Sequence, residues 1–424
     1  MMQISIVGGG YVGLVTGACF AHLGHYITII DIDADKVHLI NNGQSPIYEI
    51  GLEQLIKQHI GSELRASTKF DSIASAEVIF ICVGTPQTPN NNIDLSFIKS
   101  ACSSIGMSLT NNISECCVII KSTVLPGTTE NIIRPEILTS TKKSENEINF
   151  IVNPEFLREG KAIEDFMHPD RIIIGNNESY SKYFINELYE KIPAPIIYTD
   201  IPTAEMIKYT SNAFLATKIS FANEIGNICK HLHINAYDVM KGVGLDHRIG
   251  SQFLNAGIGF GGSCFYKDLS ALILLAQKNN ENPILLQSII DINTRQPHKL
   301  IALLENKIGD VSDKYITLLG LAFKNDTDDI RESRAIPIIR ELLQKKAHLA
   351  VYDPMAMTNM RQIFPDIKYC NNAIDALTNA DGCLVLTEWT EFSKLDTEFD
   401  VMKHKVIIAG RKILTCKGVE GICW

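Results

Sequence analysis

The sequence lacks an excess of basic residues. It carries 39 lysines and arginines against 48 aspartates and glutamates, a formal net charge of −9. Such a chain has no overall positive field to attract a phosphate backbone, so its composition argues against non-specific binding of nucleic acid and leaves only local basic spots to consider.

Metal and disulfide spacings are also missing. The eleven cysteines are scattered and no pair has C-x-x-C spacing, so we expect reduced thiols rather than a zinc site or a disulfide framework. No apolar run reaches the length that crosses a membrane. Residues 1–7 enter a strand pattern without the basic stretch of a signal peptide. We therefore expect a soluble, cytoplasmic protein without bound metal.

The first feature that is present is a dinucleotide-binding pattern. Gly8, Gly10 and Gly13 have G-x-G-x-x-G spacing between a predicted strand and a predicted helix, where glycines let a pyrophosphate approach the helix N-terminus. Asp31 ends the next predicted strand. Its carboxylate would accept hydrogen bonds from ribose hydroxyls and repel a 2′-phosphate, which favours NAD over NADP. Lys36 follows closely enough to reach the ribose or a phosphate.

Later strands of this region end in polar groups. Thr85 and Thr123 each follow an apolar run, and ligands lie outside the carboxyl ends of parallel strands, so both could line the cofactor cleft; the alternative is ordinary loop chemistry. Glu155 and Glu159 follow the run 149–152. These carboxylates could position a water or take up a proton, or they could simply suit a helix N-terminus.

Residues 203–230 predict one long helix, because the segment has no proline, little glycine and helically spaced apolar residues. We expect it to connect domains and to form a dimer surface. Lys208 and Asn212 are one turn apart on one face. Together they could bind an alkoxide or a developing oxyanion; the alternative is an exposed lysine beside a polar neighbour.

Cys264 lies between the glycine-rich run 259–262 and a predicted helix over 267–277. A sulfur near a helix N-terminus is favoured as a thiolate. Lys267 adds a positive charge, and Asp268 can hydrogen-bond locally. The alternative is a buried structural cysteine. Upstream, Arg248 stands in a glycine-rich segment typical of ligand-wrapping loops, where it could serve a phosphate or a neighbouring subunit.

The last third repeats the order strand, loop, helix, strand-plus-aspartate over residues 315–353, without the fingerprint glycines. We expect basic side chains to hold phosphates there instead of backbone, namely Lys324, Arg331 and Arg334. Strand patterns at 382–386 and 405–408 continue a parallel sheet, and Arg411 and Lys412 follow the last of them.

Five segments together resemble the UDP-glucose/GDP-mannose dehydrogenase family and, within it, the UDP-glucose 6-dehydrogenases. They are residues 8–13, 121–124, 153–160, 259–268 and 323–333, and the match runs nearly end to end. The resemblance implies oxidation of the C6 alcohol of a nucleotide sugar, UDP-glucose, to a carboxylate with reduction of two NAD⁺. It also implies a homodimer.

The resemblance assigns roles to residues. Cys264 would be the nucleophile that carries the sugar as a thiohemiacetal and then a thioester. Lys208 and Asn212 match the residues that stabilise the oxyanion, and Thr123, Glu155 and Asp268 those that hold water and handle protons. Positions that match NAD contacts are Val12, Asp31, Lys36, Thr85, Thr123, Glu159, Lys267 and Arg331. Positions that match substrate contacts are Glu155, Phe156, Leu157, Arg158, Glu159, Lys208, Asn212, Arg248, Phe253, Leu254, Asn255, Ala256, Gly257, Gly261, Lys324 and Arg411.

The expected fold is α/β, with two Rossmann-like doubly wound domains joined by a long central helix with a helical middle domain. The boundaries are 1–200 for the NAD-binding domain, 201–305 for the helical domain with the cysteine loop, and 306–424 for the nucleotide-sugar domain. The family pattern often has an acidic residue where Ala409 precedes Gly410 and Arg411. Rival interpretations are a GDP-mannose or UDP-N-acetylhexosamine dehydrogenase, a non-catalytic protein that binds NAD and a nucleotide sugar, and an aldehyde dehydrogenase of another lineage.

Overall fold

The computed structural model describes residues 1–112, 115–176 and 181–424. The chain divides into two compact units, Met1–Ser211 and Asn212–Trp424. The division falls inside one continuous helix, Ile201–His231, which confirms the long helix expected over 203–230. The three-domain boundaries drawn from the sequence stay a prediction.

An eight-stranded sheet forms the centre of the first unit. Its strands are β1 (Gln3–Val7), β2 (Tyr26–Ile30), β3 (Leu64–Ser67), β4 (Val78–Ile81), β5 (Cys116–Ile120), β6 (Ile148–Val152), β7 (Ile172–Gly175) and β8 (Ile196–Thr199). They lie in the order β3-β2-β1-β4-β5-β6-β7-β8, and all neighbours are parallel except β6 and β7. The strand order reverses between β1 and β4, which opens a crevice at their carboxyl ends.

Helices cover both faces of this sheet. They are α1 (Tyr11–His22), α2 (Ala34–Asn41), α3 (Leu52–His59), α4 (Ser96–Leu109), α5 (Arg134–Ser140), α6 (Ala162–Met167), α7 (Ser181–Tyr189) and the start of α8 (Ile201–His231). Val78 and Phe80 of β4 join one apolar cluster, and Ile79 and Ile81 join the other. Both faces of the strand are therefore buried, which explains why it reads as an unbroken apolar run.

The second unit has a six-stranded, fully parallel sheet. Its strands are β9 (Tyr315–Leu319), β10 (His348–Tyr352), β11 (Lys368–Tyr369), β12 (Gly382–Val385), β13 (Ile407–Ala409) and β14 (Val419–Gly421), in the order β11-β10-β9-β12-β13-β14. Its helices after α8 are α9 (Ala236–Gly244), α10 (Phe265–Lys278), α11 (Ile284–Ile308), α12 (Ala335–Gln344), α13 (Met357–Ile363) and α14 (Ala373–Leu377). The two sheets, one mainly and one fully parallel, and the long helix confirm the predicted α/β fold.

The second unit keeps the first fingerprint glycine, which corrects the expectation that all of them are missing. Gly320 follows β9 with φ +100°, as Gly8 follows β1 with φ +106°. A Cβ at Gly8 would lie 2.8 Å from the Cys82 carbonyl, and one at Gly320 would lie 2.5 Å from Thr387 Cβ. This left-handed turn also ends β9 at Leu319, because only glycine adopts it without strain.

The aspartate that follows β10 has a structural role. Asp353 is fully buried, and its carboxylate accepts hydrogen bonds from the backbone N–H groups of Leu321, Ala322, Met355 and Ala356 and from the indole of Trp389. Five donors occupy all of the roughly four lone-pair sites of a carboxylate. Asp353 therefore stabilises the fold itself. Asp31 has the corresponding position in the first unit, where a ribose would bind.

The described residues contain neither a membrane-spanning helix nor a cluster of metal ligands. No helix among them is long and apolar enough to cross a membrane. No group of three or more His, Cys, Asp or Glu side chains in the same ranges could hold a metal ion.

Candidate active site

The glycine turn after β1 has the geometry that a dinucleotide requires. Gly13 lies against the turn itself, since a Cβ there would approach the Gly8 carbonyl oxygen to 1.9 Å. Gly10 is different: a Cβ built on it meets nothing within 4 Å. Gly8 and Gly13 are thus required by the fold, whereas Gly10 borders open space directly before the N-terminus of α1, where backbone N–H groups favour an anion. Val12 lies half-buried in the first turn of this helix.

Asp31 follows β2 and is held by backbone. Its Oδ2 accepts from Gly9 N at 2.7 Å and its Oδ1 from Asp33 N at 2.9 Å. The side chain is only partly buried, and a carboxylate with two donors has lone pairs left for further ones. Asp31, unlike Asp353, can therefore accept from ribose hydroxyls, and the donor set of this turn fits NAD. Lys36 lies on α2, and its Nζ is 3.9 Å from Asp33 Oδ2.

The ends of β4 and β5 are tied together. Thr85 Oγ1 donates to the Thr123 carbonyl at 2.9 Å, and Ser122 Oγ donates to the Val83 carbonyl at 2.7 Å. Thr85 is buried and Thr123 is partly exposed. Both threonines thus lie at the carboxyl edge of the sheet, and Thr123 is the more accessible of the two.

Glu155 and Lys208 form a buried ion pair in the first unit. Lys208 Nζ lies 3.0 Å from Glu155 Oε1, with both side chains less than a tenth exposed, and Glu155 Oε2 accepts from Leu157 N at 2.6 Å. Sequence reasoning assigned roles to both residues but did not predict their pairing, since 53 positions separate them. Two cationic side chains lie over the ring of Phe156, the residue after Glu155. Arg171 Cζ is 3.9 Å and Lys208 Nζ is 5.3 Å from the centre of this ring.

Sequence reasoning missed a second buried ammonium beside this pair. Lys121 is 4% exposed, and its Nζ donates to Asn153 Oδ1 at 2.9 Å. Burial lowers the pKa of Lys121 to about 8. The positive charge of Lys208 adds to this shift, and the negative charge of Glu155 opposes it. Two ammonium groups around one carboxylate leave local positive charge, which favours a negatively charged oxygen nearby.

Glu49 was also missed, although it fixes the backbone that directly follows Glu159. Its two carboxylate oxygens accept from Gly160 N at 2.6 Å and from Ala162 N at 2.9 Å, and Tyr11 of α1 also donates to it. The contact links residues more than a hundred positions apart, which no local pattern reveals. Arg158 in this segment is exposed and forms a bidentate pair with Asp165, and Glu159 is partly exposed.

In the second unit, Cys264 lies directly before the first residue of α10 and is exposed. Cys416 is partly buried and the other nine cysteines are buried. Cys264 thus lies at a helix N-terminus, as its sequence position indicates, although α10 begins at Phe265, two residues earlier than predicted. Among the cysteines, only Cys264 combines exposure with a helix start.

Asp268 organises the side chains around this helix start. It is 1% exposed, and its carboxylate accepts from Asn212 Nδ2 and from Lys267 Nζ, both at 2.6 Å. Its own N–H donates to the Cys264 carbonyl at 2.9 Å. The structure thus brings together four residues that the sequence had placed in the site, Asn212, Cys264, Lys267 and Asp268.

The remaining predicted substrate positions of the second unit lie in loops. Phe253 has φ +65°, Leu254, Ala256 and Gly257 are buried, and Asn255 is exposed. Gly261 is packed so closely that a Cβ would lie 2.5 Å from the Glu332 carbonyl oxygen.

The predicted basic contacts of this unit have carboxylate or aromatic neighbours. Arg248 is exposed and pairs with Asp246, and Arg331 pairs with Asp329. Lys324 lies 5.8 Å from the ring centre of Phe323. Arg334 is buried and donates to the Glu332 carbonyl and carboxylate. Its role as a phosphate contact stays a prediction.

Arg411 is held although Ala409 offers it no carboxylate. Its Nη2 donates to the Gly259 carbonyl at 2.7 Å, and its Nε lies 3.3 Å from Glu388 Oε2. A carboxylate from the loop after β12 thus stands beside the guanidinium. Sequence reasoning missed Glu388, because no motif marks it.

A doubly wound domain with a fingerprint turn suited to NAD, together with an exposed cysteine at a helix start, defines the protein as an NAD-dependent dehydrogenase. Three models of the UDP-glucose/GDP-mannose dehydrogenase family match it: the NAD binding domain over residues 2–193, the central domain over 202–295 and the UDP binding domain over 317–416. The chain belongs to this family.

Individual relatives agree with the family models. The chain is 45% identical to the UDP-glucose 6-dehydrogenase AglM of Haloferax volcanii over 98% of its own length and 97% of that protein. It is 41% identical to the UDP-glucose 6-dehydrogenase YwqF of Bacillus subtilis over 98% and 94%. A solved UDP-glucose dehydrogenase from Pyrobaculum islandicum superposes with a TM-score of 0.95 at 36% identity, covering 100% of this chain and 98% of that one.

The two fingerprint glycines Gly10 and Gly13 provide a matched pair for testing the cofactor site. We expect Gly10→Ala to keep the thermal stability of the protein but to weaken NADH binding about 10-fold or more, because its methyl group enters the space next to the helix N-terminus. Gly13→Ala should instead lower the melting temperature, since its Cβ collides with backbone. Fluorescence titration with NADH and a thermal melt measure the two effects; equal NADH affinity of wild type and Gly10→Ala would contradict the assignment.

Proposed function

We propose that this protein oxidises UDP-glucose at C6 to UDP-glucuronate, consuming two NAD⁺ and one water. The names of its relatives support this substrate. The observation that carries the proposal is the exposed Cys264 at the start of α10, one turn before the buried Asp268. An alcohol dehydrogenase that stops at the aldehyde needs no such sulfur, whereas oxidation to a carboxylate through a covalent intermediate does.

The turn after β1 would hold NAD through the N-terminus of α1 and through Asp31. When bound, NAD⁺ supplies the hydride acceptor for both oxidations. The chain's residues that match further NAD contacts are Val12, Lys36, Thr85, Thr123, Glu159, Lys267 and Arg331, and their assignment is part of the proposal.

Stabilising the C6 oxygen is the task proposed for Lys208 and Asn212. One helix carries both, four residues apart, so they share a face. The Lys208 ammonium pairs with Glu155, and the Asn212 amide donates to Asp268. Each donor is thus oriented by a buried carboxylate, which keeps it in place for the negative charge that develops on the oxygen.

The second oxidation depends on Cys264. Its thiolate adds to the aldehyde carbon, the carbonyl oxygen takes up a proton, and a thiohemiacetal forms. When this adduct loses its C6 hydrogen with the electron pair and its hydroxyl proton, a thioester remains. Water then attacks the thioester carbonyl, the carbon–sulfur bond breaks, and the thiolate is regenerated with the carboxylate product. Glu155 would hold the water and take its proton. Thr123 and Asp268 match positions with the same role in the family.

Measuring NADH per sugar consumed is the direct test of this function. We expect two NADH per UDP-glucose and at least about 100-fold lower kcat/KM with GDP-mannose and UDP-N-acetylglucosamine, because a site built to pair with one nucleotide and sugar leaves polar groups unpaired with another. Absorbance at 340 nm and chromatography of the sugar nucleotides give the ratio. No turnover of UDP-glucose would reject the proposal. Turnover of GDP-mannose or UDP-N-acetylglucosamine instead would identify that nucleotide sugar as the substrate.

A pair of cysteine variants tests the nucleophile. We expect Cys264→Ser to bind NADH and UDP-glucose as the wild type does but to lose UDP-glucuronate formation by about 10³-fold or more, because the hydroxyl is a far weaker nucleophile than a thiolate. Cys416→Ser, at the other cysteine that is not buried, is the control and should retain activity within about twofold. Normal UDP-glucuronate output from Cys264→Ser would refute the covalent role.

We also propose a homodimer, built on α8. Phe214, Phe221 and Ile228 of this helix are 64%, 47% and 53% exposed, and seven-residue spacing places them on one face. Exposed apolar stripes of this kind mark protein–protein contacts, and a second copy presents an identical stripe.

Sedimentation equilibrium tests this surface. Wild type should have the mass of a dimer, and Phe221→Glu should shift the equilibrium toward monomer, since a carboxylate would be buried without a partner. Glu281→Lys, at an exposed position outside α8, is the control for a charge change. A monomeric wild type, or a Phe221→Glu variant as dimeric as the wild type, would contradict the proposal.

A further inference from the structure

The backbone that leads to Cys264 is fixed almost residue by residue. We name residues 256–264 the cysteine loop. Its backbone groups bond to side chains and backbone from several separate elements: Ala256 O to Tyr237, Gly257 N to Asn223, Ile258 N to Gly410 O, Gly259 O to Arg411, Phe260 N and O to Asn293, and Gly262 N to Arg331 O. Few loops are bonded so continuously, because loops usually lie on the surface and bond to water.

Asn293 of α11 stands out in this set, because it engages both backbone groups of one loop residue. Its Oδ1 accepts from Phe260 N at 2.7 Å, and its Nδ2 donates to Phe260 O at 3.1 Å. The side chain is 1% exposed. An amide that bonds one residue twice fixes the position and the orientation of that peptide, as a neighbouring strand would.

The neighbouring glycine shows how close this contact is. Gly259 has φ +99°, and a Cβ built on it would lie 2.3 Å from Asn293 Oδ1. Both the conformation and the space therefore require glycine at this position. The loop is shaped around the Asn293 amide, so the amide cannot be enlarged or shifted without moving the loop.

The fixed peptide is connected to the reactive sulfur through packing. Phe260 is buried in a small apolar cluster with Leu269 of α10 and Ile289 of α11. Its ring meets that of Phe265 edge-on, with 5.6 Å between ring centres. Phe265 is the first residue of α10 and follows Cys264 directly. Displacement of Phe260 would therefore displace the helix start that carries the sulfur.

We propose that Asn293 is a positioning residue for Cys264. By bonding both backbone groups of Phe260, it holds the cysteine loop so that the sulfur stays at the N-terminus of α10. The role deepens the proposed function, on which its kinetic part rests. Asn293 itself touches neither substrate nor cofactor in this mechanism.

Three variants test the proposal. Asn293→Leu removes both hydrogen bonds at similar volume, and Asn293→Asp keeps the acceptor but sets a carboxylate oxygen against the Phe260 carbonyl. Asn227→Leu is the matched control: Asn227 Nδ2 donates to Gln296, one turn further along α11, so this variant loosens the same helix without touching the cysteine loop.

Steady-state kinetics and alkylation are the two measurements. We expect both Asn293 variants to lose about 10- to 100-fold in kcat, because small misplacement of a reacting group has this effect. Independently of turnover, the pH midpoint of iodoacetamide alkylation of Cys264 should rise in the variants, since a sulfur that leaves the helix N-terminus loses stabilisation of its thiolate. Lys267 and Asp268, the adjacent charged residues, stay unchanged.

The outcomes separate the two proposals. Unchanged kcat and an unchanged alkylation midpoint in Asn293→Leu, or in Asn293→Asp if the leucine variant does not fold, would overturn the positioning role. The same kcat loss in Asn227→Leu would overturn it too, because general loosening of α11 would then be the cause. A wild type that does not oxidise UDP-glucose, combined with a raised midpoint in the Asn293 variants, would reject the function but support the positioning.

Discussion

A buried carboxylate one turn beyond Cys264, the proposed nucleophile, is the group on which the arrangement of the side chains assigned to catalysis in the second unit depends. Asp268 accepts from Asn212 and Lys267 while its N–H bonds to the Cys264 carbonyl. Removing one partner of a buried charge costs roughly 3–5 kcal/mol, so Asn212 and Lys267 are held firmly. The carboxylate thereby fixes an amide, an ammonium and the start of α10 relative to one another.

The first unit also has a buried carboxylate that orients a proposed catalytic side chain, but two buried ammonium groups lie near it. Glu155 pairs with Lys208, and Lys121 adds a second buried ammonium. Burial lowers the pKa of Lys121 to about 8. Buried charges destabilise a fold unless they are paired, so an extra cation in this place is more readily explained by chemistry than by stability. In the proposed reaction, it would favour the negatively charged oxygen at C6.

How much of this was predictable depended on sequence distance. The fingerprint turn, Asp31, the long helix and the helix start after Cys264 follow from patterns within a few residues. The partners that hold the site were not predictable, because Glu49, Glu388 and Asn293 act on residues 23 to 113 positions away and belong to no motif. The role of Asp353 was hidden for the same reason: its pattern matches that of Asp31, and only the folded structure shows its five donors.

Chemical quenching of the Glu155→Gln variant, followed by mass spectrometry of its peptides, tests the central claim most directly. With UDP-glucose and NAD⁺, the weakened activation of water should let a thioester accumulate. We expect a covalent nucleotide-sugar adduct on the peptide that contains Cys264 and on no other. An adduct on a different residue, or an unmodified Cys264 peptide while NADH is formed in a burst, would contradict it.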